Sequence, residues 1–188
     1  MFNDKYGLTK AVLEGRKTMT RRIVNADTWR CIRHGCINDG LQHSPYKPGD
    51  VLAVAESYKK MYERSLDYAI PRYSLLDDYD GTPGWTNKMF VKPEKCSHKI
   101  RISNVRVERV QDISDEDCFR EGIRVLDEDL ATHFARRYTF DGWWYRNRFT
   151  CAAETPREAF AALFDKISFK GNWNRNPYVF VYEFELVK

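Results

Sequence analysis

The chain has 188 residues, of which 43% are apolar and 31% are charged, a composition that excludes wholesale disorder. Its 31 Lys and Arg residues exceed its 27 Asp and Glu residues by a formal charge of +4, too small a surplus to indicate a polyanionic partner by itself. No stretch approaches the roughly 20 apolar residues that span a bilayer, and the start lacks the apolar run of a secretory signal. We therefore expect a cytoplasmic protein with no membrane partner. We also expect its five Cys residues to be reduced thiols.

The first predicted element is a short helix over residues 8–14, with Leu8, Ala11 and Val12 on one face. Gly15 follows at the position where a helix often ends in a left-handed residue. A strongly basic segment, GRKTMTRR, begins at this glycine. The helix is therefore expected to lead directly into the basic segment.

The next predicted strand lies close to a carboxylate. Residues 37–49 are rich in Gly, Asn, Pro and Ser, which predicts a loop. The apolar run 51–55 predicts a buried strand that ends at Glu56. Because residues 59–95 then show no sustained period, we predict an insertion at about 57–97, and we predict a second one at about 125–153.

A long bent strand is predicted over residues 99–110. The parity of its apolar positions changes between Ile102 and Val105, which indicates a bulge near residues 103–104. The last ten residues before the C-terminal Lys188 also alternate, and their first half is apolar on both faces. Such strands are typical of barrels.

Two further helices are predicted from their start signals. Ser114 followed by Asp117 resembles a capping box, and Gly122 closes that helix after barely two turns. Thr155 followed by Pro156 is a stronger start. The sequence therefore predicts an α+β fold with mostly antiparallel strands, as a single domain over residues 1–188 that carries the two insertions.

Three residues are candidates for chemistry. If the basic segment meets the end of the 51–55 strand, Lys17, Thr20 and Glu56 come within hydrogen-bond reach, enough to activate a nucleophile or position a water. Like-charge repulsion from the neighbouring arginines lowers the pKa of such a lysine and favours a neutral amine. A phosphate cradle, or an ordinary ion pair between Lys17 and Glu56, is the alternative.

A second cluster has donors that suit zinc. Cys31, His34, Cys36 and His43 lie in one short segment, but their spacing is tighter than that of common zinc fingers. We prefer ordinary thiols and expect no cofactor, with a structural zinc as the alternative.

The segment NWNRNP, residues 172–177, has two open interpretations. Trp173 seals the barrel while the asparagines shape the turn before the last strand, or Asn176 or Asn174 reads a base edge. Pro177 favours an extended backbone at Asn176 in both cases.

Taken in chain order, GRKTMTRR, YKPGDVLAVAES, IRISNVRVERVQDISDEDCFREGI and NWNRNPYVFVYEFE resemble the ASCH family over nearly the whole chain. The resemblance implies a PUA-like, mostly antiparallel β-barrel with flanking helices, here with a long inserted middle region. It also implies RNA or a modified nucleoside as the partner. Some members remove the acetyl group of N(4)-acetylcytidine with a lysine, a threonine and a glutamate, to which Lys17, Thr20 and Glu56 correspond by motif.

Other members are predicted RNA-binding modules or have been proposed to cleave RNA, so both functions stay open beside amide hydrolysis. The compact amidohydrolases are much shorter and lack the middle region. In the amide-hydrolysis interpretation, Lys17 deprotonates Thr20 or a water, and Arg21 or a backbone N–H stabilises the oxyanion. Glu56 orients Lys17 or passes a proton to the departing amine.

In the binding-only interpretation, cations hold phosphates and a ring stacks on a base. The implied phosphate ligands are Lys17, Arg21, Arg22 and Arg101. The implied stacking residue is Trp173 or Tyr58.

Overall fold

The structure, a computed structural model, describes residues 2–66, 83–126, 137–141 and 153–187. These residues form an α+β fold in which a four-stranded antiparallel sheet curls into a half-barrel with flanking helices. Much of each predicted insertion (57–97 and 125–153) lies outside the described residues. Across the described ranges, no helix has both the length and the apolar surface needed to cross a membrane.

The helices of the described residues are α1 (Leu8–Leu13), α2 (Ala26–Arg33), α3 (Ile37–Gln42), α4 (Tyr58–Leu66), α5 (Asp115–Arg120), α6 (Pro156–Ser168) and α7 (Asn172–Arg175). The strands are β1 (Met19–Ile23), β2 (Val51–Ala53), β3 (Lys99–Arg109), β4 (Arg124–Val125), β5 (Tyr138–Thr139) and β6 (Tyr178–Val187).

The main sheet has the order β1-β6-β3-β2, with every pair antiparallel, and β4 pairs with β5. The predicted bulge in β3 is confirmed, because the register with β6 shifts between Ile102 and Asn104. The double-sided burial of β6 is also confirmed, since residues 179–182 are all buried. These two strands form the centre of the sheet.

The pairing gives the sheet two faces. Thr20 lies opposite Tyr182 and Arg22 opposite Phe180, so these four residues share what we call the Thr20 face. The other side, which we call the Arg21 face, carries alternate residues of the same strands, including Met19, Arg21, Val179, Val181 and Glu183. Helices α5 and α6 lie on the Arg21 face: Asp117 of α5 bonds Arg21, and the Arg21 guanidinium lies 5.8 Å from the ring of Phe160 in α6.

The predicted helix signals are confirmed. Gly15 has φ 73°, the left-handed conformation that ends the α1 region. Ser114 accepts a hydrogen bond from the amide of Asp117, and Thr155 accepts one from the amide of Glu158. Local capping chemistry therefore determines where these helices begin.

Three local predictions were wrong. Residues 37–49 are not all loop, because α3 occupies 37–42. The 51–55 run is not a fully buried strand, since β2 is an edge strand of three residues and Val51 is 49% exposed. Asn176 is left-handed, with φ 46° and ψ 55°, rather than extended, because it ends α7.

Candidate functional site

A cavity of about 390 Å³ lies against the Thr20 face. Its lining is mostly aromatic and aliphatic, contributed by Phe2, Tyr46, Val51, Leu52, Ala53, Ala55, Val91, Pro93, Cys96, Ile100, Ile102, Tyr182 and Phe184. Thr20 and Arg22 of β1 are also among the lining residues. A concave, mostly apolar site with a few polar groups is typical of small-ligand binding.

The aromatic part of the cavity wall is held in place by contacts among its members. The rings of Tyr46 and Tyr182 meet edge to face, with 5.6 Å between their centroids. The Ser44 hydroxyl lies 2.9 Å from the Tyr182 hydroxyl, and Phe2 packs on Phe184 at 5.5 Å. Burial raises the pKa of Tyr182, so its hydroxyl stays protonated and can donate a hydrogen bond.

Lys17 is buried against Glu121 rather than against Glu56. Its Nζ lies 2.5 Å from Glu121 Oε2 and donates to the Glu121 carbonyl oxygen at 2.7 Å. The two side chains are 1% and 3% exposed. Burial lowers the pKa of Lys17, partly offset by Glu121, while Arg22 and Arg21 lower it further. The predicted direction is therefore confirmed, but its main cause is desolvation.

Arg21 is surrounded by carboxylates, so its guanidinium stabilises the fold and does not form a phosphate-binding surface. Its guanidinium lies 2.7 Å from Glu108, 2.8 Å from Asp117 and 3.2 Å from Glu121, and its side chain is 1% exposed. Burial alone would lower the pKa of Arg21, but these carboxylates raise it above its ordinary value. A phosphate has no access to this guanidinium.

The same network continues on the Arg21 face towards solvent. Glu183 of β6 accepts a hydrogen bond from Arg120 of α5 at 2.8 Å and also bonds Arg106 of β3. Arg106 in turn donates to Asp117 at 2.8 Å. The cations on this side of the sheet are thus matched by acidic groups.

Glu56 lies in different surroundings. It is buried, with Oε2 3.4 Å from Nδ1 of His98, and it lines a second, smaller cavity of about 200 Å³ together with Asp4, Thr9 and Lys60. Thr20 lines the larger cavity instead. The structure therefore brings Thr20 and Arg22 together, and Lys17 and Arg21 together through Glu121.

Two other predicted binding residues lie away from the larger cavity's lining. Arg101 is exposed, with Nη1 3.6 Å from Oε1 of Glu185. Tyr58 begins α4 and its hydroxyl accepts a hydrogen bond from the Lys92 amide at 3.4 Å.

Trp173 and Asn176 are engaged within the fold. The Trp173 ring packs edge to face on Phe160 at 6.1 Å. Asn176 Oδ1 accepts a hydrogen bond from the Gln111 amide at 3.0 Å, and its carbonyl oxygen accepts one from Arg109. These contacts favour the interpretation in which the segment shapes the turn.

The proposed zinc ligands show no assembled site. Neither Cys31 nor Cys36 forms a disulfide with another described residue. Over the described ranges, no three His, Cys, Asp or Glu residues are grouped so as to hold a metal ion.

Sequence reasoning missed Glu121 and Tyr182 as site residues. Glu121 sits in the FREGI segment next to Gly122, and an acidic residue beside a helix-ending glycine carries no signal of burial. Tyr182 alternates in step with Phe180 and Phe184, so the pattern predicts which face of the sheet it lies on. It does not predict that this face carries a cavity.

No family model, curated protein or solved structure matches the chain. Its function must therefore be inferred from the chemistry of the cavity and of the buried Lys17–Glu121 pair.

Proposed function

We propose that this protein is an ASCH-type, PUA-like barrel protein that binds a modified nucleoside or an RNA base in the cavity on the Thr20 face. The observation that carries the proposal is the combination of aromatic walls with Thr20 and Arg22 in one cavity. The order of the sequence motifs supports the same ligand class.

The size and lining of the cavity suit a nucleobase. Its volume of about 390 Å³ lies within the roughly 300–1,000 Å³ range of small-molecule sites. A base is flat and apolar on its faces, so it gains stacking and burial against rings such as Tyr46 and Tyr182. The lining therefore provides affinity for any planar heterocycle.

The polar residues of the cavity determine which base is bound in preference to others. A base carries oxygen and nitrogen acceptors at its edge, and the Arg22 guanidinium and the Thr20 hydroxyl can donate to them. Each such bond adds a free-energy contribution that depends on the base having a matching acceptor at its edge. We expect these two side chains to select which base is held.

A second function, hydrolysis of the acetyl amide of N(4)-acetylcytidine, is favoured by the buried Lys17–Glu121 pair. The lowered pKa of Lys17 increases the fraction of neutral amine, the form that accepts a proton. Glu121, rather than Glu56, is the carboxylate in contact with that lysine. In this proposal the catalytic residues are Lys17, Thr20 and Glu121.

The hydrolysis proceeds in two steps, which are the formation of an acyl-threonine and its hydrolysis. The Thr20 oxygen bonds to the acetyl carbon while its proton passes to Lys17, and the C–N bond then breaks as Lys17 returns that proton to the cytosine amine. Water next adds to the acyl-threonine, releasing acetate and restoring the hydroxyl. In the structure Lys17 Nζ is held by Glu121 on the Arg21 face, and neither residue lines the cavity, so this step requires Lys17 to leave that pair and reach the acetyl group beside Thr20.

Incubation of the purified protein with N(4)-acetylcytidine and with acetylated RNA, followed by product analysis, tests hydrolysis. If the protein is an amidohydrolase, cytidine and acetate appear, and Thr20→Ala abolishes their formation. If it only binds, no product forms with either protein, and Thr20→Ala changes affinity by only about 2- to 12-fold, the effect of one neutral hydrogen bond.

A further inference from the structure

An exposed tryptophan lies near one end of the Thr20 face. Trp29 of α2 is 43% exposed, and its ring lies 5.9 Å from that of Tyr178, the first residue of β6. The Arg109 guanidinium lies 3.8 Å from the centroid of the same Tyr178 ring. Arg33, four positions after Trp29, is exposed on the same side of the helix. We call Trp29, Arg33, Arg109 and Tyr178 the Trp29 surface.

This surface continues from the cavity along one face of the sheet. Tyr178, Phe180 and Tyr182 alternate along β6, so all three point to the Thr20 face, and Tyr182 lines the cavity. Arg22 lies opposite Phe180, and Arg109 lies opposite Tyr178. Since a strand rises about 3.3 Å per residue, Tyr178 lies about 13 Å along β6 from Tyr182 and about 7 Å from Phe180, the residue opposite Arg22.

The chemistry of the surface is that of a single-strand binding platform. An exposed ring offers a stacking face to any base, and the arginines offer donors to phosphates. The Trp29 ring is already held by Tyr178, so little side-chain freedom remains to be lost when a base stacks on it. The Asn176 carbonyl accepts from Nη1 of Arg109, which leaves other N–H groups of that guanidinium for a ligand.

We propose that the Trp29 surface binds the single-stranded RNA next to the base that the cavity holds. This inference rests on the proposed function. One flanking base stacks on Trp29, while Arg33 and Arg109 contact the phosphates next to that base. The protein thereby recognises a modified base within a strand and not only a free nucleoside.

The test compares two probes on the full chain: an unstructured oligocytidylate with one central N(4)-acetylcytidine, and free N(4)-acetylcytidine. Trp29→Ala should weaken oligonucleotide binding about 5- to 150-fold, the range for loss of one stacked base, and leave nucleoside binding unchanged. Phe169→Ala is the matched control, because Phe169 is 83% exposed and lies at the end of α6 on the other side of the sheet. It should affect neither probe.

Arg33→Gln provides a second variant at an exposed helix position, where folding is not at risk. It should lower the slope of log affinity against log salt by about 0.7, the value for one phosphate contact to a single strand. Equal oligonucleotide affinity of the wild type, Trp29→Ala and Arg33→Gln overturns the proposal.

Two other results separate the surface from the cavity. If the oligonucleotide binds in a Trp29-dependent way while no free nucleoside binds, the surface is supported and the proposed function of the cavity fails. If the protein binds no RNA and instead forms a dimer that Trp29→Ala disrupts in sedimentation, the surface is a protein contact and the proposal is overturned.

Discussion

Lys17 and Glu121, 104 positions apart in the sequence, form a buried ion pair with 2.5 Å between Nζ and Oε2. The pair joins the basic segment before β1 to the end of α5. Arg21 shares the same carboxylate at 3.2 Å and ties β1 to Glu108 of β3. One carboxylate therefore fixes the position of the strand that carries Thr20 and Arg22.

Removing one member of this pair should destabilise the protein strongly. Lys17→Met removes the cation that pairs with Glu121, and Glu121→Leu leaves Lys17 buried without its carboxylate. We therefore expect each substitution to lower the free energy of unfolding by about 3–5 kcal/mol. The double variant should recover much of that loss, because it buries no unpaired charge. Urea denaturation measures all three variants; a double variant as unstable as the sum of the single ones would contradict the coupling.

Acid should weaken the fold through Glu183. The hydrogen bond from Arg120 holds the pKa of Glu183 below its ordinary value. The folded state therefore binds fewer protons than the unfolded state, so the contribution of Glu183 is complete above the ordinary pKa of about 4.3 and is lost as the pH falls through the lowered folded value. The stability advantage of the wild type over Glu183→Gln should be constant near neutral pH and shrink below about pH 4.

Glu185→Gln is the matched control, since Glu185 is on the same strand and face but its side chain is 64% exposed. Glu185→Gln removes a carboxylate from that face while leaving the Arg120 contact to Glu183 in place. Thermal unfolding from neutral to acid pH records both variants, and parallel curves for Glu183→Gln and Glu185→Gln would exclude the proposed role of the Arg120 contact.

Asn176 distinguishes turn formation from base reading. Asn176→Ala loses the bond to the Gln111 amide and places alanine in a left-handed conformation, so we expect a loss of stability of about 1–2 kcal/mol. Asn176→Gly should lose less, because glycine adopts that conformation without strain. Nucleoside affinity, measured by calorimetry, should stay unchanged in both; a fall in affinity without a fall in stability would favour base reading.

The parts of the fold that depend on neighbouring residues could be predicted from the sequence. Ser114 and Thr155 cap helices within one turn of themselves, and the parity change after Ile102 reports a bulge within the strand itself. The burial of Val51 was mispredicted because it depends on whether β2 lies at the edge of the sheet, which a five-residue apolar run does not reveal.

The site could be predicted only in part. Alternation along β1 places Arg21 and Arg22 on opposite faces of the sheet, but it does not predict which of them contacts carboxylates. Glu56 and Glu121 are both carboxylates at the end of an element, and only the long-range packing of α5 on β1 decides that Lys17 meets Glu121. Contacts that span about a hundred residues have no local signal.

Calorimetric titration of nucleosides into the wild type and Arg22→Gln tests the central claim most directly, namely that the cavity on the Thr20 face binds a base. Lys166→Gln is the charge-matched control, because Lys166 is exposed on α6. We expect saturable binding of a modified cytidine to the wild type and to Lys166→Gln, and about a 10- to 150-fold weaker affinity for Arg22→Gln, the loss of one charged hydrogen bond. Absence of nucleoside binding, or equal affinity for all three proteins, would contradict the account.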